Sequence, residues 1–273
     1  MKKTIAVFLF IFVAAAACGA AAPVTTSRPN KKIMTIAHRT TMMLAPENTI
    51  PGIMKAIELG CDYIELDVRY TKDGVPVLMH DPDVMRTTNG IGPVSLMSFK
   101  KLRKLDAGAR FGDGTLFRKT RIPTLEEALE AMQGKIRILF EHKAPPRESA
   151  LELVKKYGFY PDKIVLGSNN SLQKKFLALD PSAPARPYVV KKEQLAPLLA
   201  EFPSSVAIKV LPGIADAAFI DEAHARGVLV FVNTLTDEDD TPEVYRKLID
   251  AGADAIQTNH PDVLKAIIEE MNK

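Results

Sequence analysis

Two carboxylates, those of Glu65 and Asp67, stand in one short apolar stretch and are of a type that could take part in chemistry. The stretch Tyr63–Val68 is typical of a β-strand, because tyrosine, isoleucine and valine favour extended structure. Residues two apart in a strand point to the same side, so Glu65 and Asp67 share one face. Such a pair fits a solvated polar face, or a site for a hard cation such as Mg²⁺ or Ca²⁺ that prefers carboxylate oxygen.

Other polar side chains with reactive groups stand where other predicted strands end. They are His38 and Arg39 after the first strand, His80 and Asp81 after a hairpin strand, and Glu141 and Lys143 after the third strand. In parallel α/β barrels the carboxyl ends of the strands share one rim, and active sites lie there. The sequence therefore predicts that these side chains converge with Glu65 and Asp67 at one end of the fold.

Phosphodiester cleavage is the chemistry that this set suits. Three carboxylates, those of Glu65, Asp67 and Glu141, would supply the oxygen shell of one divalent cation, Mg²⁺ or Ca²⁺. Histidine suits proton transfer near neutral pH, so the candidate acid–base pair is His38 and His80.

The other charged side chains of the set suit a phosphate. Arg39 offers it a planar fork and Lys143 a point charge. A zinc site is not favoured, because Cys61 lies at the wrong end of its strand and is expected to be a small buried residue.

Short apolar runs alternate with longer amphipathic stretches from Ile33 onward. The eight predicted strands are Ile33–Ala37, Tyr63–Val68, Ile136–Phe140, Lys163–Leu166, Ala185–Val190, Val206–Val210, Val228–Val232 and Ala253–Gln257. The eight predicted helices are Thr49–Leu59, Thr124–Met132, Glu148–Tyr157, Ser171–Leu179, Lys192–Glu201, Ala215–Arg226, Pro242–Ala251 and Pro261–Met271. This alternation implies parallel strands and favours an α/β fold, a closed (β/α)₈ TIM barrel. An open doubly wound sheet is the alternative, but no glycine-rich dinucleotide fingerprint supports it.

One connection, which follows the second strand, is too long for an ordinary loop. Within it, Asp73-Gly74 predicts a hairpin turn followed by a short strand at Val75–His80. Ser98–Leu105 is the one helical piece expected in the rest. We therefore predict a small insertion, at about residues 83–122, that caps the end of the barrel carrying the site.

The first residues have the pattern of a bacterial export signal. Lys2 and Lys3 precede an apolar run at 5–17 that is too short to span a membrane, and small residues follow up to Ala21. Cleavage near Ala21 and lipidation of Cys18 both remain open. We expect a signal peptide at 1–21, a flexible tether at 22–32, and a catalytic domain at 33–273 in the periplasm or cell envelope.

Composition limits the partners of the chain. Its 273 residues have a formal net charge of +3 and contain two cysteines. No basic run is present that would follow a nucleic-acid backbone, and two cysteines give no disulfide framework. We expect a small-molecule substrate, no nucleic acid, and membrane attachment only through a lipid on Cys18; the oligomeric state is not predicted.

An ordered series of short motifs resembles the glycerophosphodiester phosphodiesterase family, within the phospholipase C-like phosphodiesterase superfamily. The motifs are His38-Arg39, Pro46-Glu47-Asn48-Thr49, Glu65-Leu66-Asp67-Val68, Thr71-Lys72-Asp73-Gly74, His80-Asp81, Thr87-Thr88-Asn89-Gly90, Leu105-Asp106-Ala107-Gly108, Ile122-Pro123-Thr124-Leu125-Glu126-Glu127, Glu141 with Lys143, Val232-Asn233-Thr234 and Gly252-Ala253-Asp254-Ala255-Ile256. They cover essentially the whole chain from Ile33. The resemblance implies a TIM barrel and the same roles: Glu65, Asp67 and Glu141 on the metal, His38 and His80 in catalysis, and Arg39 and Lys143 on the phosphate.

The resemblance also implies an activity, the hydrolysis of glycerophosphodiesters to sn-glycerol 3-phosphate and an alcohol. A lysophospholipase D-like activity is the first alternative, and a barrel that binds head groups without turnover is the second. Apolar residues near the predicted mouth bear on the first alternative, since they would either accommodate an acyl chain or pack the insertion on the barrel. They are Met42, Met43, Leu44, Phe111 and Phe117.

Three positions depart from the family pattern. Thr40 stands where glycine is usual, Phe231 where tryptophan is common and Asn259 where aspartate is frequent. A side chain at position 40 is expected to narrow the site or shift its loop. We expect the departures to affect the substrate side and the closing loop of the barrel, and not the metal ligands.

Overall fold

From Ile33 onward the chain forms a ring of strands with helices on the outside. In this computed structural model the structure describes residues 33–112 and 116–273. The export signal and tether predicted at 1–32 lie outside the described residues. Within the described ranges, no helix combines the length and the apolar character that a membrane span requires.

The strands and helices follow the predicted alternation closely. The strands are β1 (Met34–Ala37), β2 (Tyr63–Tyr70), β3 (Pro76–Leu78), β4 (Arg137–His142), β5 (Ile164–Leu166), β6 (Ala207–Val210), β7 (Leu229–Thr234) and β8 (Ala255–Thr258). The helices are α1 (Ile50–Glu58), α2 (Phe99–Leu102), α3 (Leu125–Met132), α4 (Glu148–Lys156), α5 (Asn170–Leu177), α6 (Leu195–Glu201), α7 (Ala217–Ala225), α8 (Pro242–Ala251) and α9 (Pro261–Met271). Polar side chains cap the first turn of several helices. Thr124, for example, forms a capping box with Glu127 at the start of α3.

The sheet runs in the order β5-β4-β2-β1-β8-β7-β6, with parallel pairing between neighbours. β3 is the exception, since it pairs antiparallel with the outer part of β2 and forms the predicted hairpin. The prediction of a TIM barrel is confirmed by this nearly closed sheet. Because the strands are parallel, their carboxyl ends share one rim of the ring.

The predicted strand Ala185–Val190 is wrong as a regular strand. Residues 184–190, which we call the closing segment, lie extended between β5 and β6 and contact β6 through isolated bridges. Leu166 N donates to Pro184 O at 2.9 Å, and Lys209 N donates to Pro187 O at 2.9 Å. Proline has no N–H to donate in return, so Pro184 and Pro187 interrupt the ladder. On the side facing β5, the amide side chains of Gln173 and Asn170 bond the backbone of Arg186 and Tyr188, so side chains of α5 help to close the ring here.

Inward-facing apolar side chains fill the lower part of the barrel. The buried ones are Ile36, Tyr63, Leu139, Val165, Ala207, Phe231 and Ala255. The rings of Tyr63 and Phe231 meet edge to face, with centroids 5.8 Å apart. Phe231 therefore belongs to the barrel floor, which corrects the expectation that it faces the substrate. Cys61 is 7% exposed, as predicted for a small buried residue.

The connection after β2 forms a small core of its own beside the rim. Its buried apolar residues are Val77, Met79, Val84, Val94, Met97, Leu102, Ala107 and Ile122. The hairpin turns at Gly74, whose φ of 82° lies in the left-handed region that glycine adopts readily. The predicted helix Ser98–Leu105 is shorter in the structure, where α2 ends at Leu102 and turns follow. This packed unit positions His80, which lies two residues after β3.

Candidate active site

Three carboxylates from two neighbouring strands meet at the rim. Glu65 and Asp67 point inward from β2, and Glu141 stands opposite Asp67 in the register of β4. One oxygen from each lies within 4.8 Å of the others. Glu65 and Asp67 are almost fully buried. The structure thus brings together the three carboxylates that the sequence singled out.

The crowding of these carboxylates has an electrostatic cost. Burial, and then repulsion by Asp67 and Glu141, raises the pKa of Glu65 well above its usual value. Burial likewise raises the pKa of Asp67, against the opposing charge of Lys143. Lys143 Nζ lies 3.3 Å from Asp67 Oδ1 and also pairs with Glu141. Lys143 is the one ammonium group among the described residues in ion-pair contact with this cluster of three carboxylates, so a divalent cation suits its charge and its oxygen chemistry.

Neighbouring groups hold the two β2 carboxylates in place. Asn48 Nδ2 donates to Asp67 Oδ2 at 2.7 Å, and Asp67 N donates back to Asn48 Oδ1 at 3.1 Å. Arg39 N and Gln257 Nε2 each donate to Glu65 Oε2 at 3.0 Å. Asp67 Oδ1 receives no hydrogen bond although it is buried. That oxygen faces the other carboxylates and has only the ion pair with Lys143, 3.3 Å away, which is the fit expected of a metal ligand.

His38 lies against the same cluster from the end of β1. Its Nε2 is 3.4 Å from Glu65 Oε2, and its Nδ1 donates to Asn259 Oδ1 at 2.6 Å. Burial is the main reason that the pKa of His38 falls to about 4; the bond to Asn259 opposes this and the charge of Arg39 adds to it. Asn259 is itself held by a 2.8 Å hydrogen bond from its N–H to Asp240. The departure at Asn259 thus contacts a candidate catalytic histidine, which corrects the expectation that it affects only the substrate side and the closing loop.

His80 follows β3 and is held on both ring nitrogens. Nδ1 donates to Asp81 Oδ1 at 2.8 Å, and Nε2 accepts from Arg39 Nη2 at 2.9 Å. Its backbone oxygen accepts two bonds from the guanidinium of Arg69, at 3.0 and 2.8 Å. The same guanidinium donates to Lys143 O at 2.9 Å. Arg69, on β2, thereby fixes the backbone of two candidate site residues.

Arg86 links the supports of His80 and Arg39, and sequence reasoning did not identify it. Its Nη1 and Nη2 donate to the two oxygens of Glu47 at 2.7 and 2.8 Å, and its Nε donates to Asp81 Oδ2 at 2.6 Å. These bonds hold the pKa of Asp81 well below its usual range. Glu47 Oε2 in turn lies 3.5 Å from Arg39 Nη1. The side chains of Arg86, Glu47, Arg39, His80 and Asp81 form a closed ring of charge-assisted contacts. The one signal for Arg86 in the sequence is that it directly precedes the motif Thr87–Gly90.

Substituting Arg86 with glutamine is expected to lower kcat by about 10- to 100-fold, as for other residues that orient groups in direct contact with the reaction. Glutamine cannot bridge Glu47 and Asp81 at once, so His80 and Arg39 would lose their alignment. Steady-state kinetics would measure the effect, with Arg86→Lys retaining part of the activity because it keeps the charge. The matched control is Arg246→Gln, which removes an exposed ion pair to Glu270 on the outer helices. A kcat for Arg86→Gln within twofold of the parent would contradict the role.

Thr40 adopts the backbone conformation that glycine favours, with φ of 78°. Its side chain is fully buried and points at α1, where a Cβ on Gly52 would lie 2.2 Å from Thr40 Oγ1. The absence of a side chain on Gly52 therefore makes room for Thr40. The threonine thus packs against α1 beneath its own loop, and its effect on the site or on the position of the loop stays a prediction.

Some of the apolar residues predicted near the mouth of the barrel pack against one another. Phe111 and Phe117 meet edge to face, with ring centroids 5.2 Å apart. Met42 and Phe111 line a cleft that also includes Glu47 and Arg86. Met43 is 51% exposed. The two aromatic rings pack within the insertion, and the methionine faces solvent.

Comparison with known proteins decides the family. Residues 38–263 match the glycerophosphoryl diester phosphodiesterase family. The chain belongs to this family. The matched range includes every candidate site residue described above, so the predicted resemblance is confirmed, and with it the prediction of a phosphodiesterase.

Individual relatives match most of the chain. The protein YhdW of Bacillus subtilis (strain 168) is 34% identical over 240 residues, which are 84% of this chain and 95% of that protein. The crystal structure of glycerophosphodiester phosphodiesterase from Agrobacterium tumefaciens str. C58 superposes with a TM-score of 0.77 at 27% identity, covering 86% of this chain and 100% of that one. A phosphodiesterase from Oleispira antarctica, solved in complex with the product sn-glycerol-3-phosphate, gives a TM-score of 0.74 at 26% identity and covers 86% and 96% of the two chains.

Proposed function

We propose that this glycerophosphodiester phosphodiesterase hydrolyses glycerophosphodiesters to sn-glycerol 3-phosphate and an alcohol, with a divalent cation held by Glu65, Asp67 and Glu141. The observation that carries the proposal is the cluster of three carboxylates within 4.8 Å, with His38 at one side and His80 on the neighbouring hairpin. The product named for the Oleispira antarctica structure supports the choice of substrate class.

The residues of the site have distinct proposed roles in phosphate binding, proton transfer and metal binding. Arg39 and Lys143 would hold the phosphate, one through its guanidinium and the other through its ammonium group. His38 and His80 would transfer protons, one accepting from the nucleophile and one donating to the leaving alcohol. Asn259 holds the proton of His38 on Nδ1, so Nε2 is free to accept. A divalent cation bound to the carboxylates would polarise a phosphoryl oxygen and offset the negative charge that develops there.

Two routes are compatible with these roles. Water, activated by one histidine, would attack the phosphorus directly, or a hydroxyl of the substrate's own glycerol would attack first and give a cyclic phosphate. The second route gains from the proximity of nucleophile and phosphorus within one molecule. Phosphorus NMR during turnover distinguishes them, because only the second route produces a cyclic phosphodiester.

A lysophospholipase D-like activity is the second candidate. The observation that favours it is a set of exposed apolar side chains after β1 and on the insertion. They are Met43 (51% exposed), Met85 (51%), Ile91 (79%), Leu96 (71%) and Leu116 (82%). Such side chains would suit contact with an acyl chain or a lipid surface.

A substrate panel with the purified protein tests both candidates. Glycerophosphocholine, glycerophosphoethanolamine, glycerophosphoglycerol and a lysophospholipid would each be supplied with Mg²⁺ and with Ca²⁺, and the released sn-glycerol 3-phosphate or lysophosphatidic acid measured. We expect turnover of the water-soluble diesters. Turnover of the lysophospholipid alone would favour the second candidate, and binding of all four without turnover would favour a non-catalytic barrel.

A further inference from the structure

Two cationic side chains face the carboxylates from the other side of the barrel. In the ring of strands, β6 lies across from β2, and the closing segment lies across from β1. Lys209 stands on β6 and Arg186 in the closing segment. The guanidinium of Arg186 lies 5.8 Å from the ring centroid of the inward-facing Phe231, and Lys209 shares a strand face with the inward-facing Ala207, two residues before it, so both side chains lie on the interior side of the barrel. They form a basic wall opposite the metal-binding wall.

Lys209 has no anionic partner within the described part of the chain. Its ammonium group lies 5.0 Å from the ring centroid of Tyr188, a cation–π contact. No carboxylate among the described residues comes within ion-pair distance of it, and the side chain is half-buried. Burial, and then the nearby charge of Arg186, lowers the pKa of Lys209. The group is partly desolvated, close to a second cation, and not compensated by a direct contact.

Arg186 is fully buried and poorly satisfied. Its Nη1 and Nη2 make only long contacts, 3.5 Å to Asn233 Oδ1 and 3.4 Å to Gly167 O, and its Nε has no hydrogen-bond partner. The guanidinium carbon lies 5.8 Å from the ring centroid of Phe231. Burial lowers the pKa of Arg186 to about 10, so the group remains charged at neutral pH. A buried guanidinium with such weak contacts is costly unless an anion compensates it.

The carboxylates already at the site act on the basic wall only at a distance, and each has another partner. Asp67 is bound by Asn48, Glu65 by Arg39 N and Gln257, and Glu141 pairs with Lys143. The reacting phosphate, in the proposed function, is held by Arg39 and Lys143 on the β1–β2–β4 side. An anion for the basic wall must therefore reach the β6 side as a different part of the substrate.

We propose that Lys209, supported by Arg186, binds a second anionic group on the alcohol half of the substrate, a carboxylate or a further phosphate. This inference rests on the proposed function and adds a substrate preference to it. Attraction at the basic wall favours alcohols with negative charge, and repulsion disfavours a quaternary ammonium such as that of choline. Arg186 acts behind Lys209, because its complete burial leaves Lys209 as the group that contacts the ligand.

The test compares the selectivity of the parent enzyme with that of Lys209→Met. The substrates are glycerophosphocholine, glycerophosphoglycerol, glycerophosphoserine and bis(glycerophospho)glycerol, whose alcohol half carries a cation, no charge, a carboxylate with an amine, and a second phosphodiester. We expect the parent to prefer bis(glycerophospho)glycerol to glycerophosphoglycerol by kcat/KM. Lys209→Met should lower that preference by about tenfold or more, the effect of losing one charge-assisted hydrogen bond. Lys209→Arg should retain most of it.

Control variants and a binding measurement keep the inference separate from the proposed function. Lys174→Met removes a surface lysine that lies over the ring of Phe202, 5.7 Å from its centroid, and should leave the preference unchanged. Dissociation constants for the same substrates, measured by calorimetry on the slow variant His80→Ala with and without Lys209→Met, give the comparison without turnover. Equal losses on all four substrates would overturn the inference and assign Lys209 to the reacting phosphate, while the proposed function would stand. A preference for glycerophosphocholine in the parent would also overturn it.

Discussion

Replacing Asp67 with alanine is expected to abolish turnover and divalent-cation binding together. Asp67 is fully buried, and its Oδ1 faces Glu141 and Lys143 with no hydrogen bond of its own. Removing it takes away one of three carboxylates and leaves Lys143 closer to balancing the remaining charge. Because the proposed role of the cation supplies several kcal/mol of stabilisation at the phosphorus, kcat should fall by about a thousandfold or more.

Three measurements check this result. Calorimetry would show binding of Mg²⁺ or Ca²⁺ to the parent and none to Asp67→Ala. Thermal unfolding would show that a cation at 100 times its Kd raises the free energy of unfolding of the parent by about 2.7 kcal/mol, a stabilisation that the variant lacks. EDTA would stop the parent reaction, and added cation would restore it.

Two further variants serve as controls for Asp67→Ala. Asp67→Asn keeps the volume and one oxygen, so it should fold like the parent and still lose most of the affinity for the cation. Glu243→Ala removes an exposed carboxylate in the first turn of α8 and should change neither quantity. Full turnover in EDTA would contradict the assignment of the metal ligands.

Replacing His80 with alanine is expected to lower kcat by about 10²- to 10⁴-fold with little change in KM. Both ring nitrogens of His80 are engaged, one with Asp81 and one with Arg39, so the ring is held in a single orientation. Loss of the imidazole removes a proton-transfer group, while Arg39 and Lys143 still bind the phosphate. Steady-state kinetics on a glycerophosphodiester separates the two parameters.

A second substitution of His80 and a control at His224 test whether proton transfer is the property that His80 supplies. His80→Gln can still accept from Arg39 but cannot take up and release a proton at neutral pH, so it should be nearly as slow as the alanine variant. His224 pairs with Asp254 at 2.7 Å and is the matched control, since Asp254 directly precedes β8, at the end of the barrel away from the rim. An effect of His80→Ala confined to KM would argue against its acid–base role.

Much of this arrangement could be predicted from the sequence because it depends on local patterns. Apolar periodicity placed most helices and strands within one or two residues of their observed bounds. Parallel strands share one rim, so the residues that end them meet there, which is why the sequence alone could pair Glu65 with Glu141. The hairpin at Gly74 followed from a turn residue that tolerates positive φ.

The rest depends on contacts that no local pattern encodes. Gln257 reaches Glu65 across 192 residues of sequence, and Arg86 reaches Glu47 across 39. These pairs form only when the ring closes and the insertion folds onto it. The closing segment shows a different limit: its apolar residues predict a strand, but the backbone of Pro184 and Pro187 cannot complete the ladder.

The closing segment also bears on how the specificity of this enzyme can change. The carboxylates lie on β2 and β4, which are joined by a long run of register pairs, whereas the backbone of Arg186 in the closing segment is held by the side chain of Gln173 on α5. The proposed chemistry and the proposed head-group recognition thus lie on opposite walls of the barrel. A substitution at Lys209 would therefore alter the alcohol that is accepted and leave Glu65, Asp67 and Glu141 in place.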